Sequence, residues 1–372
     1  MDRRLFLQTS TAGIVDLVLT SRGSMFDFKT FRDKQSYSIV MLGDTHFDAD
    51  PSVYHSKMTS PSNTQKAEFT RNANMWKTNC PSLVNEASNL IDESTQMVFQ
   101  VGDLVQGDCG DGDVHKQMLT DAWNFMKPKW KNLPFVTCCG NHDVRGTNAQ
   151  ATYLNYMPTL LSGELDRSII NTNFCFSIGP DAFIILDVNK AVDDDLLYRM
   201  LQASDGARYV FIMAHAPFIP ADIEKPRWLV LHGNDTTAEN AARRELRAEF
   251  AKRNVIYLCG HIHTTEFLDW EGDGGRITQM TMNSVWDVIE RGWYIVANEG
   301  ISAYGQRHKN AVAKDSSLKD ESALFAEYQP GVKAYSRSYA AGSYKLNVSP
   351  SGVNIELHAG NSSTVSHTFN VR

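Results

Sequence analysis

A chain of 372 residues with 42% hydrophobic and 21% charged positions has the make-up of a globular protein, long enough to bury a large core in one domain or two. Its net charge of −7, from 36 Lys and Arg against 43 Asp and Glu, argues against a nucleic-acid-binding surface. It does not argue against a phosphorylated substrate, because bound divalent cations reverse a local field.

In chain order, the first segment is unlike the rest. Arg3-Arg4 precede Leu5-Phe6-Leu7 and an apolar stretch through Leu19 broken by Asp16. That pattern predicts a twin-arginine export signal over residues 1–24 and a periplasmic or secreted protein, with a cytoplasmic one as the alternative. The stretch falls short of the roughly 20 apolar residues that span a bilayer, and no other segment comes nearer, so no membrane span is expected.

From Tyr37 to Leu42 an apolar run reads as a buried strand that stops at Gly43-Asp44-Thr45-His46. Residues 49–64, rich in Pro, Ser and Thr, read as an irregular loop, and helices are expected over 65–79 and 82–93, divided by Cys80-Pro81. A second strand over 96–101 ends at Gly102-Asp103. The acidic stretch Gly107–Asp113 lacks the Glu that closes an EF-hand and reads as a loop. A helix over 114–127 puts Leu119, Trp123 and Met126 on one face and should stop at Pro128. The apolar run from Leu133 to Val136 then leads through Thr137-Cys138-Cys139 to Gly140-Asn141-His142-Asp143.

A helix is expected over 148–161, then a hairpin of 174–178 with 182–187 about Gly179-Pro180-Asp181, and a helix over 193–203. A strand over 209–214 ends at His215, and a charged helix over 237–253 leads to a strand over 255–259 that ends at Gly260-His261-Ile262-His263. Beyond Thr264 helical patterns fade. Strands are expected at 276–282, 342–348 and 353–357, while polar residues 303–335 read as a surface excursion. No linker divides the chain, so 25–372 reads as one α/β layered domain with a C-terminal hairpin at 342–358. Six cysteines, at 80, 109, 138, 139, 175 and 259, form no CxxC pair; four sit in strand-like runs, and a disulfide between Cys80 and Cys109, compatible with an oxidising compartment, has no support from their spacing.

Five strand ends thus carry Asp44, His46, Asp103, Asn141, His142, His215, His261 and His263. Each alone has an ordinary explanation, as a cap or a satisfied imidazole. Loops that leave a sheet at one edge can converge, however, and five such endings point to one site. Carboxylates, imidazoles and a carboxamide together suit manganese, iron or zinc. There are too many for one ion, and a bridging carboxylate would hold a pair at roughly 3.5–4 Å.

In order and type, Asp44-x-His46, Gly102-Asp103, Gly140-Asn141-His142-Asp143, His215 and Gly260-His261-x-His263 resemble the five motifs of the calcineurin-like metallophosphoesterase superfamily, over roughly residues 36–285. The resemblance implies a four-layer α-β-β-α sandwich with mixed sheets. It also implies that Asp44, His46 and His263 hold a first metal, that Asn141, His215 and His261 hold a second, and that Asp103 bridges them. His46, and the lack of a Tyr ligand after Asp103, set the chain apart from purple acid phosphatases. Asp143 in place of Glu looks more like the cyclic-nucleotide phosphodiesterase and small bacterial phosphatase branches.

The implied reaction is hydrolysis of a small phosphate mono- or diester by a hydroxide bridging two metals. His142 is the candidate general acid and Asp143 the candidate to orient its imidazole. The rival is a non-catalytic, metal-stabilised binding or scaffold protein of the same fold, which would have no use for a leaving-group acid. Tyr54, His55, Lys57, Trp228, Trp286, Tyr304 and Arg307 are candidate pocket residues, and oligomeric state stays open. Gly-x-Ser-x-Gly, His-Glu-x-x-His and P-loop signatures are missing.

Overall fold

The computed structural model describes residues 26–27, 33–189, 194–224, 226, 237–284 and 298–372; the candidate export signal, Trp228 and Trp286 lie outside the described residues. The strands are β1 (Phe26–Asp27), β2 (Tyr37–Leu42), β3 (Thr95–Gln100), β4 (Phe135–Thr137), β5 (Phe174–Ile178), β6 (Asp181–Leu186), β7 (Val210–Ala214) and β8 (Ile256–Cys259). They continue as β9 (Thr265–Gly272), β10 (Gly275–Thr281), β11 (Asn298–Glu299), β12 (Val332–Ser338), β13 (Gly342–Ser349), β14 (Gly352–Ala359) and β15 (His367–Asn370). Between them run α1 (Pro51–Tyr54), α2 (Asn63–Thr78), α3 (Cys80–Asn89), α4 (Gly112–Met126), α5 (Ala149–Leu165), α6 (Asp194–Ala203), α7 (Thr237–Lys252), α8 (Gln306–Lys314) and α9 (Ser322–Tyr328).

Two mixed sheets face each other. One has six strands in the order β15-β14-β13-β2-β3-β4, the other nine in the order β1-β5-β6-β7-β8-β10-β9-β12-β11. Every residue of β2, β3, β6, β7 and β8 is buried, which is why these segments read as unbroken apolar runs: parallel strands covered on both faces have no polar side to show. Alternation then splits them between two cores. Phe183 and Ile185 of β6 point into the layer between the sheets, with Phe211, Met213, Ile256 and Leu258. Ala182, Ile184 and Leu186 point outward, where Leu197 and Met200 of α6 and Leu246 and Phe250 of α7 cover them. On the far side Trp76, Leu83, Leu119, Trp123 and Met126 close the first sheet, so the layers stack helix, sheet, sheet, helix. Each such side chain contributes about 1.5–3 kcal/mol when removed from water.

Helix starts follow capping chemistry. Ser62 and Gln65 form a reciprocal capping box on α2, and the Asp111 carboxylate accepts from the Asp113 and Val114 amides at the start of α4, so the acidic loop is a helix cap. Pro81 sits in the first turn of α3, and α4 stops two residues before Pro128.

Two expectations need correction, and one open pairing is decided. Residues 303–335 are not a surface excursion: α8 and α9 form there, and Tyr304, His308, Leu324, Phe325 and Tyr328 are buried. These anchors are spaced singly among charged residues, so two short helices leave little periodicity. Helical structure therefore does persist beyond Thr264. Strands β9 and β12 also went unread; in β9 Glu266 and Asp269 interrupt the apolar pattern and are buried beside Arg337 and Arg276. All six cysteines are free and buried, so Cys80 and Cys109 form no disulfide.

Candidate metal centre

β2, β3 and β4 are parallel neighbours, as are β7 and β8, and the chain leaves each at its C-terminal end in a polar loop. Those five loops bring Asp44, His46, Asp103, Asn141, His215, His261 and His263 together. Turning so sharply takes unusual backbone: φ is 44° at His46, 53° at Asp103, 74° at His261 and 47° at His263. Left-handed conformations cost a non-glycine residue roughly 1–2 kcal/mol each, so the surroundings must hold them. The Asp103 carbonyl does part of this by accepting from the Thr45 and His46 amides at 3.1 and 2.9 Å. Glycines allow the close approach: a Cβ on Gly140 would lie 2.0 Å from the Asp103 nitrogen, and one on Gly260 would lie 2.3 Å from Asp44 Oδ1.

Both carboxylates are held the same way, one oxygen on backbone and the other turned inward. Asp44 Oδ1 accepts from the His261 amide at 3.0 Å, and Asp103 Oδ1 accepts from the His142 amide at 2.7 Å. Asp44 Oδ2 then lies 2.9 Å from His263 Nε2, and Asp103 Oδ2 lies 3.2 Å from His215 Nε2. His46 Nε2 sits between them, 3.8 Å from Asp44 Oδ2 and 3.7 Å from Asp103 Oδ2. Around these oxygens imidazole nitrogens face one another: His46 Nε2 and His263 Nε2 are 3.0 Å apart, and His215 Nε2 and His261 Nδ1 are 3.1 Å apart. The Asn141 Oδ1 atom is 3.1 Å from His215 Nε2.

The donor set fits divalent cations. Asp44, His46 and His263 form one tight group and Asp103, His215 and His261 another, with His46, Asp103 and His142 a third that joins them. His46 Nδ1 is buried without a hydrogen-bond partner, and buried Asp44 Oδ2 has only the contact with His263 Nε2. Protonation bears the same mark. Burial disfavours charge on Asp44, yet the imidazoles of His215 and His263 outweigh it and hold the carboxyl at about 2. Burial likewise works against a proton on His215, but Asp103 and Asp44 push that imidazole up to about 10. Burial and the charge on His215 lower His261 to about 4. The proton on His215 thus does for the carboxylates what a cation would do.

His142 is engaged differently. Its Nδ1 lies 2.9 Å from the Gln106 carbonyl, which fixes the ring, and its Nε2 lies 3.2 Å from Arg145 Nη1 and 3.5 Å from Glu68 Oε1. Burial lowers this imidazole below its ordinary value, with Asp103 opposing and Arg145 assisting. Asp143, expected to orient His142, does not touch the ring: its two oxygens accept from the Val105 and Gly140 amides at 3.0 and 2.8 Å, because the turn points successive side chains apart. It therefore ties together the loops that carry Asp103 and Asn141.

The other candidates separate. Tyr54 is buried and donates to Asp121, and His55 is fixed by Asp48 and the Asp108 carbonyl and stacked on Phe69 at 4.0 Å, so both hold the insertion in place. Lys57 lines a cavity of about 390 Å³ beside Asp108 and Gly146. Tyr304 is buried, donating to the Pro220 carbonyl, and the Arg307 amide donates to Asp222. Sequence reading missed Arg145 and Glu68. Arg145 had one signal, its place three residues after His142; Glu68 had none.

Paired mixed sheets between helical layers, with carboxylates and imidazoles gathered at the strand ends, define the metallophosphoesterase class of fold. The profile of the Metallophos family, calcineurin-like phosphoesterases, matches residues 37–265, and the chain belongs to that family. Among solved structures the chain resembles PhoD with a TM-score of 0.51 at 11% identity, over 91% of this chain and 69% of that one. It also resembles GAP50, the anchor in the inner membrane complex of Plasmodium, with a TM-score of 0.48 at 14% identity over 91% and 89% of the two chains. A dimetal phosphatase from Danio rerio matches with a TM-score of 0.47 at 11% identity over 91% and 100%. No curated protein matches in sequence. Among the described residues no helix is long and apolar enough to cross a membrane.

Proposed function

We propose that this chain is a metal-dependent hydrolase of a small phosphomonoester or phosphodiester. One observation carries the reading: donor atoms from five strand ends face one another, as in the 3.0 Å between His46 Nε2 and His263 Nε2, where each has more need of a cation than of its neighbour. Asp44, His46 and His263 would hold one ion, Asn141, His215 and His261 a second, and Asp103 would be shared. Manganese, iron and zinc all suit such a set. Ions held there supply Lewis acidity, which activates water and neutralises phosphoryl oxygens.

His142 has the remaining task, a proton for the leaving oxygen. Because its Nδ1 is committed to the Gln106 carbonyl, Nε2, which faces Arg145 Nη1 at 3.2 Å, is the nitrogen left to serve, and its ring touches that of His46 edge-on at 4.4 Å. Asp143 supports the reaction only through the loops it fastens. The test is metal analysis of the purified protein, followed by assay of p-nitrophenyl mono- and diesters, cyclic nucleotides and nucleoside phosphates with manganese, iron and zinc. We expect metal-dependent turnover of at least one ester class. Tight metal binding with no turnover on the whole panel would leave the scaffold reading instead.

A further inference from the structure

Arg145 follows His142 closely enough that the loop doubles back on itself. The Arg145 amide donates to the His142 carbonyl at 3.2 Å, and the Asp108 amide donates to the Arg145 carbonyl at 2.7 Å, which brings the guanidinium beside the His142 ring. Three of its edges are then spoken for. Nε lies 2.5 Å from Asp108 Oδ2, Nη2 donates to Glu68 Oε1 at 2.9 Å, and Nη1 lies 3.2 Å from His142 Nε2. A guanidinium has five N–H groups in one plane, so one hydrogen on Nη1 and one on Nη2 stay available. Its side chain is 31% exposed while that of His142 is 10% exposed, so it stands at the outer side of the imidazole.

A clamp between α2 and the 107–110 loop would need only the two carboxylates. Aiming a third edge at the ring nitrogen that is not bound to the Gln106 carbonyl needs another reason. Nε2 and Nη1 are 3.2 Å apart, so an oxygen about 2.9 Å from the first can sit equally near the second. We infer that Arg145 is a catalytic residue, the second hydrogen-bond donor to the leaving-group oxygen beside His142; the inference rests on the hydrolase reading above. In the step concerned a water that has given one proton to solvent forms the new bond to phosphorus through its oxygen, and the bond from phosphorus to the leaving oxygen breaks with its electron pair going to that oxygen. The leaving oxygen takes a proton from His142 Nε2. That nitrogen accepts from Arg145 in this structure and so has first to be protonated from solvent, with Arg145 Nη1 turning to the leaving oxygen. Arg145 keeps its own proton and stabilises the charge that builds before transfer. Glu68 and Asp108 set the plane of the guanidinium. The substrate class so favoured has a poor leaving group, an alkyl rather than an aryl ester.

The test compares wild type with R145A, R145K and E68Q on a series of alkyl and aryl phosphate esters, with metal content and thermal melting measured for each protein. We expect R145A to lose about 100-fold in kcat/KM on alkyl esters and less than about threefold on p-nitrophenyl esters, as for one lost donor to a developing oxyanion. Added guanidinium should restore part of the alkyl activity, and R145K should fall between. E68Q should show a smaller loss in the same direction. Equal losses of R145A on all esters, or losses reproduced in full by E68Q, would reduce Arg145 to a clamp while leaving the hydrolase reading intact. A metal-loaded wild type without turnover would remove both.

Discussion

Between α7 and α9 groups of opposite charge face one another, whereas at the strand ends imidazole faces imidazole. Glu327 receives Arg243 at 2.7 Å, Arg244 at 3.2 Å and Arg247 at 2.6 Å, while Arg243 also donates to the Tyr328 hydroxyl and Arg247 to Asp273. Both oxygens of Glu327 are satisfied there, although Arg243 Nε is left without a hydrogen-bond partner. At the strand ends imidazole nitrogens face one another around the two carboxylates, and His46 Nδ1 lacks a hydrogen-bond partner. Both are buried groups of charge in one protein, so burial alone does not mark a site. What marks it is the direction of the lone pairs, and a cluster that cannot satisfy itself is one that waits for a ligand.

The largest effect that would sharpen this contrast comes from Asp103. Replacing it with Ala should lower kcat/KM by about 1,000-fold or more, roughly 4 kcal/mol in the barrier, and elemental analysis should show lost metal. A metal content and rate unchanged in D103A would break the contrast outright. Next, adding metal should raise the melting temperature of the wild type. At about 100 times the dissociation constant the gain is about 2.7 kcal/mol, and D103A should show little of it.

Gly140→Ala comes third. Its Cβ would meet the Asp103 nitrogen at 2.0 Å, and overpacking of this kind costs about 1–3 kcal/mol, readable as a lower denaturation midpoint together with weaker metal binding. The smallest effect belongs to the self-contained cluster. Glu327→Gln should lose about 1 kcal/mol of stability, with kcat/KM of the folded protein unchanged.

That last variant also has a pH signature. Burial opposes charge on Glu327, but hydrogen bonds from Arg243 and Arg244, with their charges, hold it at about 2 against an ordinary 4.5. A lowered carboxyl stabilises the fold fully above the ordinary value and loses that contribution as pH falls from 4.5 toward 2. Denaturant midpoints of wild type and E327Q should therefore converge over this range. Curves that stay parallel would mean the carboxylate contributes nothing.

The five strand ends were legible because one signal repeats, an apolar run stopped by polar ligand-type residues, four of the five times at or beside a glycine, and because fully buried parallel strands write that run plainly. Asp143 was misread because adjacency in sequence was taken for contact, while in a tight turn its carboxylate swings back to the Gly140 and Val105 amides. Glu68 was invisible. A glutamate on a polar helix face looks like any solvated residue until the fold carries Arg145 to it, 77 positions along the chain. Strand β9 was hidden by its own salt bridges, since Glu266 and Asp269 are polar in sequence and buried in space. In α8 and α9 the anchors His308, Phe325 and Tyr328 are too sparse to outline a helix face.

One pairing has a bearing on how the protein is made. Strand β2, which delivers Asp44 and His46, has β13 along one edge, with Leu42 opposite Ser343 and Tyr37 opposite Val348. During synthesis on the ribosome that edge stays open until almost the whole chain has emerged, and its unpaired amides and carbonyls invite association with other nascent chains. Contacts so distant in sequence close slowly. A product cut short before Gly342 would display β2 as a sticky margin rather than as half of a pocket.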